Sequence, residues 1–69
     1  MIKEPSFSKD QERVITACTL GKSNQMMADH LVMNYHTFCG HLKIIYVMLD
    51  IHSMSELISY AYKNGYNKE

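Results

Sequence analysis

Four apolar residues, Phe38, Leu42, Ile45 and Leu49, follow one another at spacings of four, three and four. This feature constrains the chain more than any other. Such spacing keeps all four side chains on one stripe of an α-helix, and a stripe that apolar has to face a core. The stretch Asn34–Leu49 is also the longest uninterrupted helical pattern in the sequence, and Asn34 is a residue type that caps a helix start. The rest of the chain is therefore expected to supply elements that cover the stripe.

Taken in order, residues 1–6 hold the only proline, Pro5, and are expected to form a loose arm. Ser8 followed by Gln11 is a capping-box pattern, with Phe7 placed to staple onto the stem of Glu12 or the next turn. It predicts a first helix over 9–20 with Val14, Ile15, Ala17 and Cys18 inward. Asp10 and Glu12 sit at its positive end, and Gly21 acts as a left-handed stop. Ser23 or Asn24 caps a second helix over 24–31 that turns Met27, Ala28 and Leu31 inward. The third helix covers 35–49. Ser53 to Glu56 is a second capping box, opening a helix over 54–64 that Asn64-Gly65 ends, with Leu57, Ile58 and Ala61 inward. Residues 66–69 read as a frayed tail. Nothing alternates with a period of two, so the expected fold class is all-α with four helices, one domain over 7–65.

Sixty-nine residues bury only about 60% of the unfolded chain's surface, so the domain is marginal alone and gains from dimerisation. Cys18 and Cys39 are too few and too far apart for a disulfide framework and are expected to be reduced. No apolar run approaches a membrane span and Met1-Ile2-Lys3-Glu4 is no signal peptide, so a soluble, cytoplasmic chain is expected. His36, Cys39 and His41 lack the spacing of a metal site, and Cys39 with His36 lacks an orienting acid. No metal, no cofactor and no enzymatic activity are expected.

A short helix, a tight connection at Val32 and Met33, and a longer helix are the layout of a helix-turn-helix, whose second helix is offered to a DNA groove. The residues in that layout resemble the LuxR/GerE-type helix-turn-helix domain of bacterial transcription regulators over about residues 7–62. Phe7-Ser8 stands where the family has Leu-Thr, Val14-Ile15 where it has Val-Leu, and Gly21-Lys22-Ser23-Asn24 matches its Gly-x-Ser-Asn turn. Met27-Ala28 with Leu31 follows Ile-Ala-x-x-Leu, and Met33-Asn34-Tyr35-His36-Thr37-Phe38 follows Ile-Ser-x-x-Thr-Val. His41, Ile45 and Leu49 match the third helix, and Glu56-Leu57 with Tyr60-Ala61 matches the fourth. The sequence departs from the family at Arg13 for Glu, Gln25-Met26 for Lys-Glu, Cys39 for Lys, Ile44 for Asn, and Met48 for a basic residue.

The resemblance implies a transcription regulator that binds double-stranded DNA through its third helix as a homodimer. Opposite the Phe38 stripe lie His36, Cys39, Gly40, Lys43 and Val47, so Lys43 is the candidate base or phosphate contact and Gly40 permits close approach. His41 is expected to be packed and hydrogen-bonded rather than facing the groove. Lys22, Ser23, Gln25, Tyr35 and Thr37 are candidate phosphate contacts near helix starts. Seven Lys and Arg balance seven Asp and Glu, so intrinsic affinity is expected to be weak.

The family's dimerisation element is its fourth helix, which here implicates Met54, Leu57, Ile58, Tyr60 and Ala61. Ile44, Val47, Met48, Ile51, Met54 and Ile58 together exceed what one small core absorbs, so some are expected at the surface or under a partner. That excess and the neutral charge support an alternative: a protein-interaction module with a degenerate helix-turn-helix that pairs with another transcription regulator. No contact with a membrane is expected. At this length there is no room for a sensor or receiver domain, so either a stand-alone regulator or an excised domain is expected.

Overall fold

The computed structural model describes residues 6–66, and the arm expected over 1–5 and the tail over 67–69 lie outside them. Within the described residues four helices follow one another: α1 Lys9–Cys18, α2 Asn24–His30, α3 Tyr35–Leu49 and α4 Met54–Lys63. Among the described residues there is no strand, so the fold is all-α. Among the described residues, no helix is long and apolar enough to cross a membrane.

Every helix begins on a side-chain cap of the residue type that its sequence advertises. Ser8 and Gln11 form a reciprocal capping box on α1, with the Ser8 amide donating to Gln11 Oε1 at 2.9 Å. Ser23 caps α2 by accepting from the Met26 amide, and Asn34 caps α3 by accepting from the His36 amide at 2.8 Å. Ser53 caps α4, but the Glu56 carboxylate reaches one residue further back than a capping box requires and accepts from the His52 amide at 3.0 Å. Each such cap satisfies an amide that a helix start leaves without a partner and is worth about 1 kcal/mol.

Helix ends are less uniform than helix starts. Three of them, after α2, α3 and α4, close with the paired backbone bonds of a Schellman turn. Met33 donates to Ala28 and Val32 to Asp29; Ile51 donates to Tyr46 and Asp50 to Val47; Tyr66 donates to Ala61 and Gly65 to Tyr62. The left-handed positions are accordingly Val32, Asp50 and Gly65, with φ of 55°, 55° and 79°. Gly65 takes this geometry without strain. A β-branched side chain in it costs about 1–2 kcal/mol. Val32 is also 93% exposed, so no packing in the monomer offsets that cost.

These turns shorten the expected helices. Helix α1 stops at Cys18, not residue 20, because Thr19 turns back on Thr16 through both its amide at 3.1 Å and its hydroxyl at 2.6 Å. Gly21 has the expected left-handed φ of 72°, but stands beyond the end of the helix. Leu31 and Asn64 are caps rather than last turns of α2 and α4.

The core is built from Val14, Ile15, Ala17 and Cys18 of α1, Met27, Ala28 and Leu31 around α2, Phe38, Leu42 and Ile45 of α3, and Leu57 and Ala61 of α4. Helix α1 is its hub, packing against each of the other three helices, while α3 packs on α1 and α2. Helix α3 therefore is held by α1 and α2, with α4 braced chiefly on the side of α1. Phe7, expected near Glu12, is half-buried against the core. Its ring meets Tyr60 edge-on at a centroid distance of 6.3 Å, which ties the entry of α1 to α4. Tyr66 stacks on Tyr60 at 6.1 Å and is therefore part of the packed body, not a frayed end. Arg13 adds a polar tie: its guanidinium donates to the Leu31 carbonyl at 3.1 Å, fastening α1 to the turn that precedes α3.

Candidate nucleic-acid interface

The outer side of α3 is a consequence of its inner side. With Phe38, Leu42 and Ile45 sealed in the core, the residues half a turn away must face outward. His36, Thr37 and Lys43 are exposed, Tyr35 is exposed at the helix start, and Cys39 and Gly40 are half-buried. Lys22, Ser23 and Gln25 are exposed at the start of α2. All nine positions expected to meet DNA therefore keep surface in the monomer.

Several of them are already engaged. The Gln25 amide donates to the Asp29 carboxylate at 3.0 Å, one helical turn on. The Ser23 hydroxyl is committed to its cap. Tyr35 and Cys39, also one turn apart, are hydrogen-bonding neighbours, and the thiol's bond and charge hold the Tyr35 phenol above the ordinary tyrosine range. Lys22 and Lys43 have no ion pair among the described residues, whereas Arg13 lies 3.5 Å from Asp10. The face thus offers two free cations, too few for a strong field.

Gly40 sits in mid-helix, where glycine costs about 0.5–1 kcal/mol relative to alanine. A β-carbon added there would meet nothing within 4 Å. The fold therefore does not require glycine at this position. A surface approaching α3 from outside would.

Past Lys43 the character of α3 changes. Ile44 is 50% exposed, Val47 81% and Met48 37%, a continuous apolar strip on the second half of the helix. Beside it a depression of about 500 Å³ is lined by Lys43, Tyr46, Val47, Asp50, Ile51 and His52. His41 is half-buried as expected of a packed residue, but its Nδ1 is buried without a hydrogen bond, contrary to the expectation that it would be satisfied.

The five residues expected to form a dimer surface on α4 do not lie together outside. Leu57 and Ala61 are completely buried in the monomer core, Met54 and Ile58 are half-buried against it, and Tyr60 is half-buried between the rings of Phe7 and Tyr66. This corrects the assignment of Leu57 and Ala61 to an interface: the face of α4 that carries them is already sealed within the monomer, where α4 packs on α1. Among the large apolar residues of α4, Tyr62 is the exposed one, at 56%.

The two cysteines differ in burial. Cys18 is buried, and desolvation pushes its thiol up to about 12, so it stays protonated and inert. Its charge on ionising, after burial itself, raises Tyr46 as well. Cys39 is half-exposed on α3. Among the described residues, no group of three or more His, Cys, Asp and Glu side chains is placed to hold a metal ion.

Sequence reasoning missed two residues that shape this region. Arg13 fastens the turn before α3, across a separation of 18 residues that no local pattern reveals. Val32 takes the left-handed turn position, where the signal sought was glycine or asparagine. No protein-family model matches the chain, and no curated protein sequence matches it significantly.

Proposed function

We propose that this chain is a DNA-binding helix-turn-helix domain of a bacterial transcription regulator, cytoplasmic and without enzymatic activity, that meets duplex DNA weakly through the first half of α3. The observation that carries this reading is the joint exposure of His36, Thr37 and Lys43 on α3 away from its core stripe, with the half-buried Gly40 between them. It is supported by the sequence resemblance to LuxR/GerE-type domains and by a mid-helix glycine that the fold does not need. In this role Lys43 contacts a guanine edge or a phosphate. Lys22, Ser23, Gln25, Tyr35 and Thr37 contact phosphates, and Cys39 contacts a thymine methyl.

An NMR titration of the labelled chain with duplex DNA at low and moderate salt tests it. Shifts confined to Lys22–Gln25 and Tyr35–Lys43 that fade as salt rises are expected. An unchanged spectrum at low salt removes the DNA reading.

One observation favours a second reading, in which the domain pairs with another protein chain and no longer depends on DNA. The apolar strip Ile44, Val47 and Met48 is exposed on the same helix, in a chain whose net charge is zero. The same titration separates the two.

A further inference from the structure

The second half of α3 combines features that together specify what covers it. Lys43 and Asp50 stand seven residues apart, two helical turns or about 10 Å along the axis. Both line the depression beside Tyr46, and neither is ion-paired among the described residues. Val47 lies between them and is the most exposed residue of the apolar strip. Ile44 and Met48 flank it on the side away from Lys43, by helical spacing.

A surface with a projecting centre, a hollow at one side and opposite charges at its two ends fits a copy of itself turned end for end. A two-fold axis at Val47 sets Lys43 of one copy against Asp50 of the other, twice. A parallel pairing would instead bring Lys43 against Lys43, and charge disfavours it. The zero net charge leaves no long-range repulsion between copies.

We infer that the second half of α3 is an isologous self-association surface, at which two copies of this chain pack α3 against α3 antiparallel about Val47, with Lys43 and Asp50 exchanged between them. This names the partner in the interaction reading as a second copy, and it does not rest on DNA binding. The interface lies on α3, not on α4, because α4 has given Leu57 and Ala61 to the monomer core. Lys43 is shared between the two uses of the helix, so self-association and DNA contact at Lys43 exclude each other.

Sedimentation equilibrium on the full chain without DNA, from low micromolar to millimolar, tests the inference. The apparent mass should climb with concentration toward twice the monomer, and methyl NMR on dilution should shift Ile44, Val47 and Met48 selectively. Val47→Lys should remain monomeric with its helical circular dichroism intact, because the Val47 side chain is 81% exposed. Asp50→Lys should weaken the dimer about tenfold through its two lost pairs. Adding Lys43→Glu to Asp50→Lys should restore it. A chain that stays monomeric throughout overturns the inference, as does a dimer that survives Val47→Lys or a double variant no tighter than Asp50→Lys. None of these measurements contains DNA, so failure of the DNA reading would be recognised separately, in its own titration.

Discussion

The two halves of α3 share one buried stripe and differ in everything that faces away from it. The first half shows His36, Thr37, Gly40 and Lys43 to solvent, groups that donate hydrogen bonds, carry charge or clear space. The second shows Ile44, Val47 and Met48, which do none of these. Burial on the inside fixes the orientation of the helix and leaves the outside free to vary along its length. One helix can therefore present a polar, ion-seeking end and an apolar, partner-seeking end without any change in how it is anchored.

The largest effect is expected from what both halves have in common. Phe38→Ala empties the centre of the core and should cost about 3–5 kcal/mol, enough to unfold so small a domain in thermal denaturation. If the variant keeps a cooperative transition near that of the parent, the inner stripe does not anchor α3. Next in size is Lys43→Ala, which should weaken duplex binding by about 1–3 kcal/mol if Lys43 reads a base, measured by fluorescence anisotropy. An unchanged affinity would transfer the DNA contact away from this residue and erase the functional boundary between the halves. The smallest change sharpens the contrast most. Gly40→Ala should raise stability by about 0.5–1 kcal/mol in urea unfolding, since the added methyl group meets nothing. The same variant should bind duplex more weakly. Gain in both stability and affinity would mean that nothing approaches the helix closely there.

How much of this was legible beforehand follows from which forces act locally. Caps at Ser8, Ser23, Asn34 and Ser53 were readable because a cap is satisfied within three residues of itself. The core stripe of α3 was readable because periodicity is a property of one helix. The contact of Phe7 with Tyr60 was not readable, because it lies across the molecule, where no spacing rule reaches. Leu57 and Ala61 were read correctly as inward and wrongly as interface, since a sequence reveals that a face is apolar without revealing which neighbour covers it. Of the nine positions expected on the candidate DNA face, seven are exposed, and Cys39 and Gly40 are half-buried. Their engagement, Gln25 with Asp29 and Tyr35 with Cys39, emerged only from side-chain geometry.

Val32 carries a consequence for anyone wishing to harden this domain. Its backbone geometry is one that Gly65 adopts freely and that asparagine tolerates, while its side chain touches almost nothing. A gain in thermal tolerance is thus stored in the loop that aims α3, outside the core where engineers usually look. Releasing it also alters the first apolar group an approaching molecule would meet ahead of that helix.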